Sequence, residues 1–332
     1  MKAAASRIRW GILGTNNTAQ QFALGLAYIS DARLVAVGAH SQIAANVFGE
    51  GNWIPRQYGS FAALADDPDI DIVYIATPPS SHRSHVQMCL QAGKAVVCDL
   101  PFATSVDEAA ELIALARERG LFLLAGSWMR FLPLIVRLRA LLAEGTIGAV
   151  RILTADIGVL PVSGATPQLP DERTAGETLI GAGAALTALA SMTFGTPERV
   201  ISEGHLGSAA DTQAATILTH AGGQLAMLTT ATGVNAPQEA TIVGDTGWIR
   251  IHTRWWAPEA FTLTSGVTQQ VVHVPVLGNS ASYVADEAMR CMRAGRLESE
   301  LMPHEETLAL MRTIDQLSHQ WKLAASETMQ SR

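Results

Sequence analysis

Two short stretches of this chain carry residues whose types and spacing could do chemistry. The first is GILGTNNTAQ (11–20), where an apolar run breaks on Gly14 and passes into helical spacing. A strand-to-helix turn of this kind can cradle a dinucleotide. Its first glycine makes the bend, its second lets backbone approach the pyrophosphate, and a small third residue packs helix on strand. Gly14 fits the first position and Ala19 the third, with Thr15, Asn16 and Asn17 between them; the middle glycine falls on Asn16. Asparagine tolerates a left-handed backbone, so the turn is expected to survive, with the Asn16 side chain standing where a phosphate would approach. A structural turn without a ligand is the alternative. The next apolar run ends on His40 and Ser41, which could hydrogen-bond a ribose phosphate and so lean toward NADP over NAD; solvent-facing loop residues are the plainer reading. The second stretch is KAVVCDLPFA (94–103), a strand pattern that ends on the acid Asp99, then Leu100 and Pro101. Such a carboxyl can titrate and move a proton. His82 and His85 lie three apart in HRSH without a third ligand in view. Cys89, Cys98 and Cys291 have neither metal nor redox spacing, so no metal site is expected.

The elements that must position these residues alternate through the first part of the chain. Strand patterns at 8–14, 33–39, 71–77, 94–99 and 121–126 are separated by helical patterns at 18–29, 43–51, 84–93, 105–120 and 132–145. Ser105 and Glu108 predict a capping box, and Gly93 and Gly120 predict helix stops. Alternation with short loops implies a parallel sheet with helices on both faces, a doubly wound Rossmann-type α/β domain over about residues 1–126. After Gly148 the rhythm changes to many short strands with Gly-rich turns, from AVRILTADIG (149–158) to FTLTSG (261–266), plus helices near 181–194, 281–294 and 304–325. Residues 127–332 therefore predict an α+β domain with a large, mostly antiparallel, open-faced sheet, whose C-terminal helices could pack back on the first domain. The pair Trp255–Trp256 could wall a pocket or fill a subunit interface, with the interface the favoured reading.

The 332 residues are 48% apolar and 16% charged, which suits compact domains with large cores. A net charge of −7 without a basic run argues against nucleic acid as a partner. No stretch is apolar enough to span a bilayer, and the start lacks the apolar region of a secretory signal. With unpaired cysteines, these features predict a reducing, cytoplasmic compartment.

The order and spacing of several motifs carry a resemblance. They are GILGT…A, YGSFAALADDPDIDIVYIATPPSSH, AGKAVVCDLPFA, SWMRFLPLIVRLRALLAEGTIGAVR, ALASMTFGTPERV and YVADEAMRCMRAGRLESELMPHEETLALM. Nearly end to end, the chain resembles the Gfo/Idh/MocA oxidoreductases, on their dihydrodiol dehydrogenase and xylose dehydrogenase-like branch. The resemblance implies NAD(P) as cofactor and hydride transfer to or from a sugar, cyclitol or diol in an interdomain cleft. It places Thr77, Pro78 and His82 in the cofactor loop after the third strand, with Pro79 where Asn is usual. It places Leu100 where the family has its catalytic Lys, and Gly181 and Ala185 where it has Asp and, one turn later, His or Tyr. It also implies dimerisation through the open sheet, so a homodimer or higher homo-oligomer is expected.

Leu, Gly and Ala side chains cannot take the hydroxyl proton that alcohol oxidation releases, a task commonly contributing about 100- to 10,000-fold in rate. His82, Arg130, Glu177 and Asp99 are the candidates to replace them. Against this, His82 could cap a helix, Arg130 could pair with a carboxylate and Glu177 could lie on a solvated loop. Three readings follow. The favoured one is a homologue that has lost hydride transfer, with cofactor binding weakened or lost, acting as a small-molecule-binding subunit or beside a paralogous partner. The second is a non-redox isomerase, lyase or cyclase in the old cleft. The third is an active NAD(P)-dependent oxidoreductase.

Overall fold

The computed structural model describes residues 7–159, 172–206 and 212–330, with side chains described outside 159, 172–179, 206 and 322–330. In chain order the first elements are β1 (Ile8–Leu13), α1 (Asn17–Leu26), β2 (Ala32–Gly38), α2 (Gln42–Gly51), β3 (Arg56–Tyr58), α3 (Phe61–Ala65), β4 (Ile72–Ile75), α4 (His82–Gln91), β5 (Ala95–Asp99), α5 (Val106–Arg119), β6 (Leu123–Gly126) and α6 (Pro133–Ala143). There follow β7 (Val150–Val159), α7 (Glu172–Phe194), β8 (Pro197–Leu206), β9 (Thr212–His220), β10 (Leu225–Thr232), β11 (Ala240–Gly244), β12 (Gly247–Ile251), β13 (Ala260–Ser265), β14 (Thr268–His273), α8 (Ser280–Arg293) and α9 (His304–Gln330).

The chain divides into two compact units. One holds the chain up to Phe131 together with Val276–Leu308; the other holds Leu132–Pro275 and the chain from Ala309 onward. The sequence places the boundary at 126/127 and allows the C-terminal helices to pack back on the first domain. α8 is an element of the first unit. Its Asn279 donates to Gln21 O at 2.8 Å, and the Trp10 indole donates to the Met289 sulfur at 3.4 Å.

The first unit is built on a six-stranded parallel sheet in the order β3-β2-β1-β4-β5-β6. This is the doubly wound order, with its topological switch between β1 and β4, where ligands bind beyond the carboxyl ends of the strands. The central strands read as continuous apolar runs because helices cover both faces; Ile12, Val73, Ile75, Val96 and Val97 are fully buried. Ser41, Ser60 and Ser105 cap the helices that follow them. Glu108 reaches back to the backbone N–H and hydroxyl of Thr104, one residue further than a capping box requires. Gly120, at φ +63°, ends α5 as expected of a left-handed helix stop.

The second unit carries an eight-stranded sheet, β14-β13-β12-β11-β7-β10-β9-β8. All neighbours are antiparallel except β7 and β10, which run parallel across the crossover that contains α7. α7 packs against β7, β9 and β10 and covers one face. On the other face Ile201, Ile217 and Met227 stand in register on β8, β9 and β10, 42–49% exposed. Trp255 corrects an expectation: it is fully buried, donating its indole N–H to Asp156 O at 2.8 Å. An interface tryptophan needs an exposed face, and Trp255 has none.

Candidate functional site

The carboxyl ends of β1, β4 and β5 collect most of the residues singled out by sequence. Gly14 bends the chain out of β1 at φ +108°, and a side chain there would meet Ala76 O at 2.9 Å. Only glycine fits both the conformation and the space. Asn16 differs from expectation. Its backbone is extended (φ −79°, ψ −178°) and its side chain turns inward. Oδ1 accepts from Ala19 N at 2.9 Å, and Nδ2 donates to Ala76 O at 2.7 Å. Asn16 thus caps α1 and ties the turn to the end of β4. The N–H groups of Asn17 and Thr18 belong to the first turn of α1, where helix geometry provides no acceptor and the helix dipole favours an anion. Thr15 is half-buried, His40 is exposed at the end of β2, and Ser41 accepts from Ala44 N at 3.2 Å.

The loops after β4 and β5 are joined by one side chain. His82, 1% exposed, sets Nε2 2.7 Å from Thr77 O and Nδ1 2.7 Å from Pro101 O. A neutral imidazole has a single N–H, so only one carbonyl receives a hydrogen bond unless the ring is protonated. Burial pushes the His82 pKa down, against the raising effect of the two carbonyls. Thr77 is buried, its hydroxyl 2.9 Å from His85 Nδ1, while Pro78 is exposed and Pro79 opens a short 3-10 turn.

Asp99 closes β5, with Leu100 and Pro101 after it. Burial pushes its carboxyl up to about 7, opposed by the Tyr74 hydroxyl and the Leu100 N–H. Folding raises this pKa, so the group's contribution to stability is full below the ordinary carboxylate range and is lost as pH rises through about 7. Arg130 lies in the turn after β6 with its side chain 1% exposed. It pairs with Glu306 and donates to Leu301 O at 3.2 Å. Glu177 lies on α7, but its side chain is outside the described residues. Gly181 and Ala185 are half-buried on that helix, one turn apart, and a side chain added at Gly181 would meet open space. The first unit therefore gathers Gly14, Asn16, Thr77, His82, Asp99 and Leu100 at one sheet edge; Arg130 is spent on Glu306 and Leu301. Sequence reasoning missed Tyr74 and Trp128. The available signal for Tyr74 was a hydroxyl-bearing residue inside the otherwise apolar run DIVYIA.

Comparison with known proteins agrees with this architecture. Residues 8–127 match the oxidoreductase family with an NAD-binding Rossmann fold, and residues 135–250 match the GFO/IDH/MocA C-terminal domain. The trans-1,2-dihydrobenzene-1,2-diol dehydrogenase of Mus musculus is 32% identical over 322 residues, covering 93% of this chain and 95% of that protein. Among solved structures, the aldose-aldose oxidoreductase of Caulobacter crescentus, complexed with glycerol, superposes with a TM-score of 0.83 at 24% identity, covering 97% and 98% of the two chains. A 3-ketoreductase of Actinomadura kijaniata, in complex with TDP-benzene and NADP, gives 0.77 at 21% identity, covering 96% and 97%; these two show the fold. With both of its domains matched and its motifs in the family's order, the chain belongs to the Gfo/Idh/MocA oxidoreductase family, on the dihydrodiol dehydrogenase branch.

Proposed function

We propose that this protein binds NAD(P) and oxidises or reduces a small diol, sugar or cyclitol. The observation that carries this reading is the turn after β1. The Gly14 turn keeps its glycine, and the Asn16 side chain at the middle position is tied to Ala76 and Ala19 rather than left free. Gly14, Thr15 and the first-turn amides of Asn17 and Thr18 would hold the pyrophosphate. His40 would meet the ribose, and Thr77, Pro78 and Pro79 would line the nicotinamide end. When bound, the nicotinamide supplies the hydride acceptor or donor. The chain positions that group, with His82 fixing the two loops beside it, and handles the hydroxyl proton. The relatives named for a diol dehydrogenase and a structure holding NADP are consistent with this reading.

A second reading is favoured by Leu100, Gly181 and Ala185, which carry no acid or base. In it the protein holds a nucleotide or another small molecule without hydride transfer, alone or with a paralogous subunit. One experiment separates the two. The full chain is titrated by calorimetry with NADPH, NADH and their oxidised forms, then assayed by nicotinamide absorbance against trans-diols, aldoses and cyclitols. Binding with turnover is the expected result. Binding without turnover selects the second reading, and no binding at millimolar nucleotide removes nicotinamide chemistry altogether.

The half-exposed row Ile201, Ile217 and Met227 supports a homodimer formed through the open sheet face. Placing a lysine in this row with Ile217→Lys is expected to give a folded monomer in sedimentation, because two buried ammonium groups would oppose association. An unchanged dimer would place the interface elsewhere. The three cysteines are buried and unpaired. Among the described residues no helix is long and apolar enough to cross a membrane. Both observations are compatible with a cytoplasmic protein.

A further inference from the structure

We propose that the Asp99 carboxyl, set against the Tyr74 hydroxyl at the carboxyl edge of the six-stranded sheet, is the proton acceptor for the reacting alcohol. This rests on the oxidoreductase reading above and answers what stands in for a basic side chain at Leu100.

The placement follows from strand geometry. β4 and β5 are parallel neighbours, with Tyr74 in register with Val97. Side chains alternate along a strand, so Asp99, two residues on, projects from the same face as Tyr74. The Tyr74 ring is fully buried and stacked on Phe22, with centroids 3.7 Å apart and planes within 6°. Asp99 is in register with Gly126 of β6. A side chain at Gly126 would lie 3.6 Å from the Trp128 indole nitrogen, so the indole packs over the end of β6. The Tyr74 hydroxyl and the Trp128 N–H are both buried, and neither meets an acceptor with full hydrogen-bond geometry. The hydroxyl lies within interaction range of the Asp99 carboxyl and the Trp128 indole all the same.

Two buried donors short of a full partner are unfavourable, and each such group in a folded protein calls for an explanation. One of them, the Tyr74 hydroxyl, lies beside the Asp99 carboxyl and would be satisfied best by its ionised form. The groups that act on Asp99 are the Tyr74 hydroxyl and the Leu100 N–H, while Asp99 in turn acts on Tyr74 and Cys98; no cationic side chain is among them. The carboxyl therefore titrates close to neutrality, where a general base is most effective. In the oxidation direction the alcohol O–H bond breaks and its proton passes to an Asp99 oxygen. The C–H hydrogen would leave with its electron pair as hydride, for which a bound oxidised nicotinamide would be the acceptor, and the carbinol carbon would become a carbonyl. Tyr74 is a positioning residue, acting through Asp99.

The test follows the carboxyl directly. In the full chain labelled with 13C at aspartate carboxyls, one resonance is expected to titrate near pH 7 and to be missing in Asp99→Asn. Tyr74→Phe, which removes a donor to the carboxylate, should move that titration upward; NADP+, whose nicotinamide ring is cationic, should move it downward. In turnover, alcohol oxidation should rise through about pH 7. Asp99→Asn should lower kcat by about 100- to 10,000-fold with little change in KM, and Tyr74→Phe should shift the profile to higher pH. If every aspartate resonance titrating above pH 6 survives in Asp99→Asn, the proposal is overturned whether or not turnover is found. Turnover kept by Asp99→Asn with an unaltered pH profile overturns the assignment and leaves the oxidoreductase reading standing. Nucleotide binding with a titrating Asp99 but no turnover overturns both.

Discussion

Arg130→Met is expected to destabilise the protein by about 3–5 kcal/mol, read as a lowered denaturation midpoint, because breaking a buried ion pair leaves its partner uncompensated. The Arg130 side chain is 1% exposed, paired with Glu306 and bonded to Leu301 O, residues more than 170 positions away in sequence. Methionine matches the aliphatic stem but offers no donor. Glu306 keeps 24% exposure, so water can reach its carboxylate once the arginine is gone. The loss should therefore sit near the lower end of that range. Glu306→Gln, which keeps a polar partner for the guanidinium, should be milder. Stability of Arg130→Met within about 0.5 kcal/mol of the parent, the scatter of ordinary surface changes, would show that this pin carries no weight. Because the pin joins the turn after β6 to the start of α9, its removal should also soften the backbone around Trp128 and weaken nucleotide binding indirectly.

Gly14→Ala is expected to lower nucleotide affinity at least about tenfold and to cost stability as well. A non-glycine residue forced to φ +108° stores about 1–3 kcal/mol of strain, and the new methyl would stand 2.9 Å from Ala76 O. That oxygen is backbone at the end of β4, already holding the Asn16 amide, so it cannot swing aside. The turn itself must move, and the amides of Asn17 and Thr18 move with it. Gly181→Ala is the matched control. It adds the same methyl into open space on a helix, where replacing glycine stabilises by roughly 0.5–1 kcal/mol. Calorimetric titration of both variants, with thermal unfolding, checks the contrast. Equal behaviour of the two would mean the cradle is not the nucleotide site.

Leu100, Gly181 and Ala185 stand where the resemblance places ionisable groups, yet the Gly14 turn and the His82 bridge between two loops are intact. In the proposal above, the Asp99 carboxyl at the strand end, one residue from Leu100 and raised by burial to about 7, takes the proton. The same argument explains why Asp99 is held at a cost to stability above pH 7.

The sequence by itself determined the elements whose signals are local. The apolar runs of β1, β2, β4, β5 and β6, their alternation with helices, the Ser105 cap and the Gly120 stop were all legible, because periodicity and capping depend on neighbours a few residues away. β3 (RQY) and β14 (TQQVVH) were not, since short polar strands acquire their conformation from the sheet edge they join. The helix read from 181 begins at Glu172 for a similar reason: its glycine- and threonine-bearing first turns have weak propensity of their own. The site depended still more on tertiary structure. Asn16 reads as an obstacle until Ala76 arrives from β4 to take its amide. His82 reads as a free base until Thr77 and Pro101 enclose it. Asp99 and Tyr74 are 25 residues apart and meet only because β4 and β5 pair in register. Sequence lists which side chains can carry or hold a proton; only the packing of distant strands decides which of them are buried, paired or left poised.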